Sequence, residues 1–386
     1  MFPKRAYAAI NLDAVRENVR QVMDKVGDGV KIMSIVKTDA YGHGAVPIAR
    51  ELAEAGVYAF GVACVEEGVV LRKAGIENPI LILGHVFCED YEELLKYDIM
   101  PAVFTYENAL QLNEKAKWLN RRAKIHIKID TGMGRIGFQP NRESIEEIKK
   151  ISLLSNIEID GIFTHFACAD MRDKTSCNSQ KRVYIDFLNM LAREGVDTGI
   201  RHMDNSAGII DYDSDFLDMV RVGIMGYGLY PSDEVNMEGF PLNPVMELKA
   251  SVAFVKSVKR GFTVSYGSTY TADKDMEIAT VSFGYGDGYP RSLSNKGLVL
   301  INGQYAKIIG KVCMDQFMVD VTGLGVKQGD SVTLIGKDGN NSITVDELAY
   351  LSDRFNYEFC CDINRRVPRV YLKNGKVTEI VDYLKA

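Results

Sequence analysis

Lys37 stands between an apolar, β-branched run and a segment of special residues, Val36-Lys37-Thr38-Asp39-Ala40-Tyr41-Gly42-His43-Gly44. A lysine after an apolar strand is costly to bury charged, and the usual resolution, a depressed pKa, is also what an imine-forming amine needs. Two glycines beside an aromatic and an imidazole suggest backbone held close to a ligand, and they set Lys37 apart from an ordinary snorkelling surface lysine. Asn205-Ser206 and Gly223-Ile224 form a second group. Phosphate needs convergent backbone N–H groups and hydroxyls, which these residues carry, although Asn-Ser taken alone also reads as a simple helix cap. The third group is titratable: Lys128 and Asp130, His165, and Arg221, each in or just after an apolar run.

Something must hold these groups together. From residue 11 to about 230, helical apolar spacing alternates with short β-branched runs, the pattern of strand-helix units around a parallel sheet. Strands are expected at 31–36, 58–63, 80–83, 101–104, 125–129, 159–164, 200–203 and 219–222. Leu12, Val15, Val19, Val22 and Val26 mark an amphipathic helix, and Leu110, Ala116 and Leu119 suggest another. Eight such units have the size of a TIM (β/α)8 barrel, whose active site lies at the carboxyl ends of the strands, often with phosphate bound after strands seven and eight. On that count Lys37 follows strand one, Lys128 and Asp130 end strand five, His165 ends strand six, Asn205-Ser206 follow strand seven and Arg221 lies in strand eight.

After Pro231 the texture changes. Pro241 and Pro244 punctuate a linker, and runs at 248–258, 277–283, 298–301 and 331–335, separated by Asn302-Gly303, Asp338-Gly339 and Asn374-Gly375, read as a mostly β domain with one short helix at 345–353. The expected division is a barrel over 11–235 and a β-rich domain made of 1–10 and 236–386.

The chain has 386 residues, enough for a large and a smaller domain, and 46% hydrophobic against 25% charged residues, the balance of a packed soluble protein. A net charge of -6 without a basic block argues against nucleic acid as a partner. No run resembles a signal-peptide core or a membrane span, so a cytoplasmic protein with no membrane partner is expected. Seven cysteines, none in a C-x-x-C pair, fit neither a disulfide framework nor a zinc site. Most are expected to be buried, reduced thiols, and no metal is expected.

Almost end to end, the chain resembles bacterial alanine racemase, the two-domain fold-type III pyridoxal-phosphate enzymes. The resemblance rests on the Lys37 segment, Lys128-Ile129-Asp130-Thr131-Gly132-Met133-Gly134-Arg135-Ile136-Gly137, Thr164-His165-Phe166-Ala167, Asn205-Ser206, Arg221-Val222-Gly223-Ile224, Ser265-Tyr266-Gly267, Tyr285-Gly286-Asp287-Gly288, Cys313-Met314-Asp315-Gln316 and Arg366-Val367-Pro368-Arg369. It implies interconversion of L- and D-alanine with pyridoxal 5'-phosphate, supplying D-alanine for peptidoglycan. Lys37 would bind the cofactor and serve as base on the D face, with Tyr266 of a second subunit as base on the L face. Two bases flanking a planar α-carbon are what racemisation requires. A tyrosine at its reference pKa of about 10 is a poor base, and His165 would tune it.

By the same resemblance, Arg221 faces the pyridine nitrogen, where an always-charged guanidinium leaves the ring unprotonated and favours return of the proton to the α-carbon. Tyr41, Asn205, Ser206, Gly223, Ile224 and Tyr357 would bind the cofactor, chiefly around its phosphate. Arg135 would contact both cofactor and substrate carboxylate, with carbamylated Lys128 as its anionic partner. Met314 and Tyr285 would line the substrate pocket from a partner subunit, which makes a homodimer with shared sites the expected assembly. Thr38 and Asp39 stand where the family more often has Ala and Asn, and Lys311 where many members carry arginine. A serine or broader small-amino-acid racemase, a fold-type III decarboxylase and a non-catalytic cofactor carrier are the alternatives. Tyr266 speaks against the decarboxylase, and the full β domain against the carrier.

Overall fold

The computed structural model describes residues 2–214 and 216–385; positions 1 and 386, the outer limits of the expected β-rich domain, lie outside the described residues. Strand β1 (Ala6–Asn11) precedes β2 (Lys31–Ile35), β3 (Ala59–Val62), β4 (Ile80–Ile82), β5 (Met100–Val103), β6 (Ala123–Lys128), β7 (Ile157–Phe163), β8 (Ile200–His202) and β9 (Met219–Val222). Strands β2 to β9 close into a parallel barrel, with Met33 of β2 registered against Arg221 of β9. They are the eight runs expected from sequence, to within two residues at each end. Strands covered on both faces read as unbroken apolar runs, and every residue of β3 and β4 is buried.

The surrounding helices are set by their caps and one apolar face. Asn141 accepts from the Ser144 N–H at 2.9 Å and starts the helix Arg142–Ser152, which buries Ile145, Ile148 and Ile151. In the helix Tyr106–Trp118 the buried positions are Ala109, Leu112, Asn113 and Ala116. Leu110 and Leu119, taken from sequence as marking its apolar face, are only half-buried. Two large residues out of phase misled the reading, because small Ala109 and polar Asn113 occupy the inner stripe.

The remaining strands are β10 (Met246–Val258), β11 (Thr263–Val264), β12 (Tyr270–Thr271), β13 (Met276–Val281), β14 (Leu298–Ile301), β15 (Gln304–Ile309), β16 (Phe317–Asp320), β17 (Ser331–Asp338), β18 (Asn341–Ile343), β19 (Arg369–Lys373) and β20 (Lys376–Val381). The sheet order β17-β14-β15-β16-β13-β10, with β10 pairing again onto β17, closes a second ring. Asn302 and Gly303, at φ 53° and 73°, join β14 to β15, and Asn374 and Gly375, at 52° and 68°, join β19 to β20. Positive φ at both central residues is the geometry that Asn-Gly hairpins supply. Helix Val345–Leu351 fits the expected one, but a second, Asn356–Cys361, was not anticipated. Its tail of two cysteines carries no helical periodicity.

By compactness the chain divides into one unit of Val15–Ala40 with Ala45–Asn243, and another of residues 2–14, Tyr41–Gly44 and residues 244–385. The cysteines are all free thiols, yet only Cys177 and Cys360 are buried, and Cys64 and Cys88 are exposed. The expectation of mostly buried thiols fails because several fall on loops rather than on inward strand positions.

Candidate active site

In the barrel unit, β2 runs straight into Lys37, which is half-buried. The Tyr227 hydroxyl donates to the Ile35 carbonyl at 2.7 Å and pins the strand end. The chain then turns left-handed: Thr38, Asp39, Ala40 and Tyr41 have φ of 53°, 52°, 54° and 52°. L-residues resist this conformation by about 1–2 kcal/mol each, so surrounding contacts must hold the turn. Glu67 accepts from the Thr38 N–H at 2.6 Å and from the Ala63 N–H at 2.8 Å, and Asp39 accepts from the Ala45 N–H at 2.8 Å. Two of the three departures from the family pattern, Thr38 and Asp39, therefore sit in the scaffold of the loop, where an Asn carbonyl could accept the same Ala45 hydrogen bond.

Arg221, on β9, is buried and holds a dense set of acceptors. Its Nη2 donates to the carbonyls of Thr164 at 2.9 Å and Met203 at 2.7 Å and to His165 Nδ1 at 3.0 Å; Nη1 donates to His202 Nδ1 at 2.9 Å. Burial pushes its pKa down to about 10, so it stays charged at neutral pH. His165 is held well below the usual imidazole range by burial first, then by Arg221, Arg135, Lys128 and Lys37. Lys128 is buried at the end of β6, donates to the Ile129 carbonyl at 2.6 Å, and is pushed down to about 7 by burial first and then by Arg221. Arg135 is exposed on the loop after β6, where Asp130 ties the turn by accepting from the N–H groups of Gly132 at 3.1 Å and Gly134 at 3.0 Å.

After β8, Asn205 caps the helix Ser206–Asp211 by accepting from the Gly208 N–H at 3.0 Å. The buried Ser206 hydroxyl accepts from the N–H groups of Gly223 at 3.0 Å and Met225 at 3.4 Å. With its oxygen so engaged, the Ser206 hydroxyl hydrogen is left to donate. This buried donor, the Lys37 amine and the Arg221 cation suit a phosphorylated aldehyde: one group to bind the carbonyl carbon, one for the anion, one for a ring acceptor. Ile224 is buried in the turn that follows Gly223.

In the second unit, the buried Tyr41 ring lies 5.9 Å from that of half-buried Tyr357, and burial drives the Tyr41 phenol well above its ordinary range. Gly42 has φ of 79°, and a Cβ there would come 2.2 Å from the Cys360 carbonyl oxygen, so only glycine fits. Elsewhere in this unit three loops present exposed side chains: Tyr266 is 69% exposed, Met314 53% and Tyr285 42%. The loops are cross-tied. The Tyr285 N–H donates to the Cys313 carbonyl at 3.0 Å and the Gly286 N–H to that of Met314 at 2.8 Å, while Ser265 Oγ donates to the Lys311 carbonyl at 2.7 Å. Beneath them Arg5 grips buried Asp287 at 2.9 and 3.0 Å, and Arg366 binds Asp315 at 2.8 Å. Ser265, at φ 66°, adds local strain before Tyr266.

Sequence reasoning missed His126 and His202, which extend the Arg221 network. The signal was there: His126 and Lys128 alternate on β6 with apolar residues between them, the period of inward-facing strand positions.

Residues 10–231 match the family described as alanine racemase, N-terminal domain, and residues 245–371 the alanine racemase C-terminal domain. An alanine racemase of Halothermothrix orenii is 48% identical, covering 95% of this chain and 96% of its own length. The solved alanine racemase of Clostridium difficile 630 superposes with a TM-score of 0.95 at 40% identity over 100% of both chains. A solved alanine racemase of Bartonella henselae, named as holding covalently bound pyridoxal phosphate, reaches a TM-score of 0.85 at 29% identity, covering 96% of this chain and 100% of its own. With both domains matched and identity this high over nearly its whole length, the chain belongs to the alanine racemase family.

Proposed function

We propose that the chain interconverts L- and D-alanine with pyridoxal 5'-phosphate, one base taking the α-proton from one face and the other supplying a proton on the opposite face: Lys37 on the D face, the partner subunit's Tyr266 on the L face. The observation that carries this reading is the buried Arg221, a cation that can only donate, locked among four acceptors at the barrel end where Lys37 emerges. When bound, the cofactor supplies the electron sink that acidifies the α-C–H. Arg221 is already fully protonated and takes up no further proton, and its charge would disfavour a proton on a ring nitrogen beside it, which keeps charge at the α-carbon and favours reprotonation there. Ser206, with Asn205, Gly223 and Ile224 around it, would hold the phosphate. Arg135 holds the substrate carboxylate, and carbamylated Lys128 orients Arg135.

Tyr266, Tyr285 and Met314 complete the site of the other subunit in a homodimer. The working division is a barrel over 11–235 and a β-rich domain of 1–10 and 236–386. Among the described residues no helix is long and apolar enough to cross a membrane, and we take the protein as cytoplasmic. A family match over residues 245–371 favours a racemase over a single-barrel carrier. Alanine is preferred over serine on the names of the relatives.

The test is incubation of cofactor-loaded protein with L-alanine in D₂O. Loss of optical rotation with deuterium in both enantiomers supports the reading; retained rotation with L-alanine and with L-serine overturns it. Borohydride reduction should fix cofactor mass onto the wild-type chain and not onto Lys37→Ala.

A further inference from the structure

The interior of a (β/α)8 barrel is ordinarily packed with branched apolar side chains. Here β6 to β9 place two imidazoles and a guanidinium inside, all buried: His126, His202 and Arg221. Arg221 Nη1 lies 2.9 Å from His202 Nδ1, and His202 Nε2 lies 2.8 Å from His126 Nδ1. Beyond them Asp160 Oδ2 stands 3.6 Å from His126 Nε2, and Asp160 Oδ1 takes a hydrogen bond from Lys124 Nζ at 2.9 Å. His126 Nε2 has no hydrogen-bond partner among the described residues, and 3.6 Å is longer than a hydrogen bond, so this last link is an electrostatic contact between an N–H and a carboxylate.

The order of donors is forced from one end. A guanidinium only donates, so His202 Nδ1 must accept and its hydrogen must sit on Nε2. That hydrogen is spent on His126 Nδ1, so the hydrogen of His126 sits on Nε2, facing the Asp160 carboxylate. Burial holds both imidazoles below their ordinary range, so neither carries a second proton that would break the sequence. Asp160 stays ionised, with His126 and then Lys124 favouring its charged form. Each group has a single arrangement that satisfies its neighbour.

We infer that His126 and Asp160 are positioning residues for the reaction: through His202 they form a one-way relay across the barrel interior that holds the Arg221 guanidinium in place facing the active site. The inference rests on the reading of Arg221 as the cation beside the cofactor ring. A carboxylate at the far end accepts and cannot donate, so it favours the same order of donors that Arg221 imposes from the other end. An amide in its place is neutral and can present either its carbonyl or its N–H to His126 Nε2, so the far end no longer supports that order.

The experiment is ¹⁵N-histidine NMR on the holoenzyme, whose five histidines give few signals, combined with visible spectra and steady-state kinetics. In the wild type, His126 and His202 should each show one neutral tautomer with the hydrogen on Nε2. Asp160→Asn should shift the ¹⁵N signals of His126 and, through it, of His202, shift the visible band of the bound cofactor, and lower kcat by roughly tenfold with KM within about twofold, the scale of losing an outer-shell partner. Lys124→Gln, which removes the neighbouring cation but keeps the carboxylate, should leave the tautomers and the band unchanged. An unchanged His202 signal in Asp160→Asn overturns the relay even if the variant is less stable. Shifted histidine signals with an unmoved band and rate also overturn it, while leaving the role of Arg221 intact. If the wild-type chain fails to take up cofactor, the functional reading falls, and tautomer readings on the same proteins still decide whether the relay exists.

Discussion

Arg221 Nη2 donates to Nδ1 of His165 across 3.0 Å, and this contact decides which edge of the imidazole is free to act. With Nδ1 accepting and the ring held neutral, the hydrogen of His165 sits on Nε2, where it can donate to the oxygen of an approaching phenol. His165→Phe keeps the ring volume but removes that donor. It should slow proton loss from L-alanine more than from D-alanine, by about tenfold for one hydrogen bond to a charged group. Single-turnover deuterium washout from each enantiomer measures the asymmetry.

Tyr266→Phe should show the same asymmetry more strongly, because the phenol itself is gone. Washout from D-alanine should continue through Lys37 while washout from L-alanine falls by at least about a hundredfold, the contribution of a positioned general base. Equal losses on both faces would count against the two-base assignment. Sedimentation velocity on the wild type supplies the companion test, since a fully active monomer would end the shared-site arrangement.

Acid should destabilise the fold in a defined window. Burial lowers the folded pKa of His126, His165 and His202, whereas the unfolded imidazoles return to about 6.5. For a base with a lowered folded pKa, stability is whole above the unfolded value and is lost as pH falls below it, because only the unfolded chain takes up the proton. Each such group adds up to about 1.4 kcal/mol per pH unit to the slope between the unfolded and the folded pKa. Calorimetry at pH values falling from 7 to 5.5 in buffers of different ionisation enthalpy should register a growing proton uptake on unfolding, and His202→Gln should reduce it.

Much of this was legible in the sequence because the barrel strands are buried on both faces and bounded by loops, so each appears as a short apolar run. Residues ending those runs, Lys37, His165 and Arg221, could be placed at one end of the barrel from strand order alone. The histidine network was not legible, since contact between His126 and His202 depends on the closure of strands 76 residues apart. Nor was the left-handed turn from Thr38 to Tyr41, because no propensity favours four such residues in a row and contacts such as those of Glu67 and Asp39, invisible in the sequence, hold them there. Positions such as Leu110 misled because bulk was read as burial.

Ser206 offers a test of the phosphate role. Ser206→Ala removes a buried hydroxyl that accepts from two backbone N–H groups and is free to donate outward. A hydrogen bond to a charged group contributes about 1.5–3 kcal/mol, so the dissociation constant for pyridoxal phosphate should rise roughly ten- to a hundredfold. Affinity for pyridoxal, which lacks the phosphate, should change by less than about threefold. Equal losses for the two would assign Ser206 to the turn at Gly223 instead of to the anion.

Lys128 gives the sharpest pH prediction at the site. Its amine, pushed down to about 7 by burial and by Arg221, is largely neutral at pH 8, and a neutral amine is the form that adds to carbon dioxide. Carbamylation would turn a cation that burial and Arg221 both disfavour into an anion beside Arg221 and Arg135, so the product is favoured by the same field that depresses the amine. With ¹³C-bicarbonate at pH 8, a carbamate ¹³C signal should appear, fade as pH is lowered through 7 and the amine protonates, and be absent in Lys128→Ala. If the signal is equal in wild type and Lys128→Ala, the carbamate sits elsewhere, and Arg135 must find its anionic partner in another group.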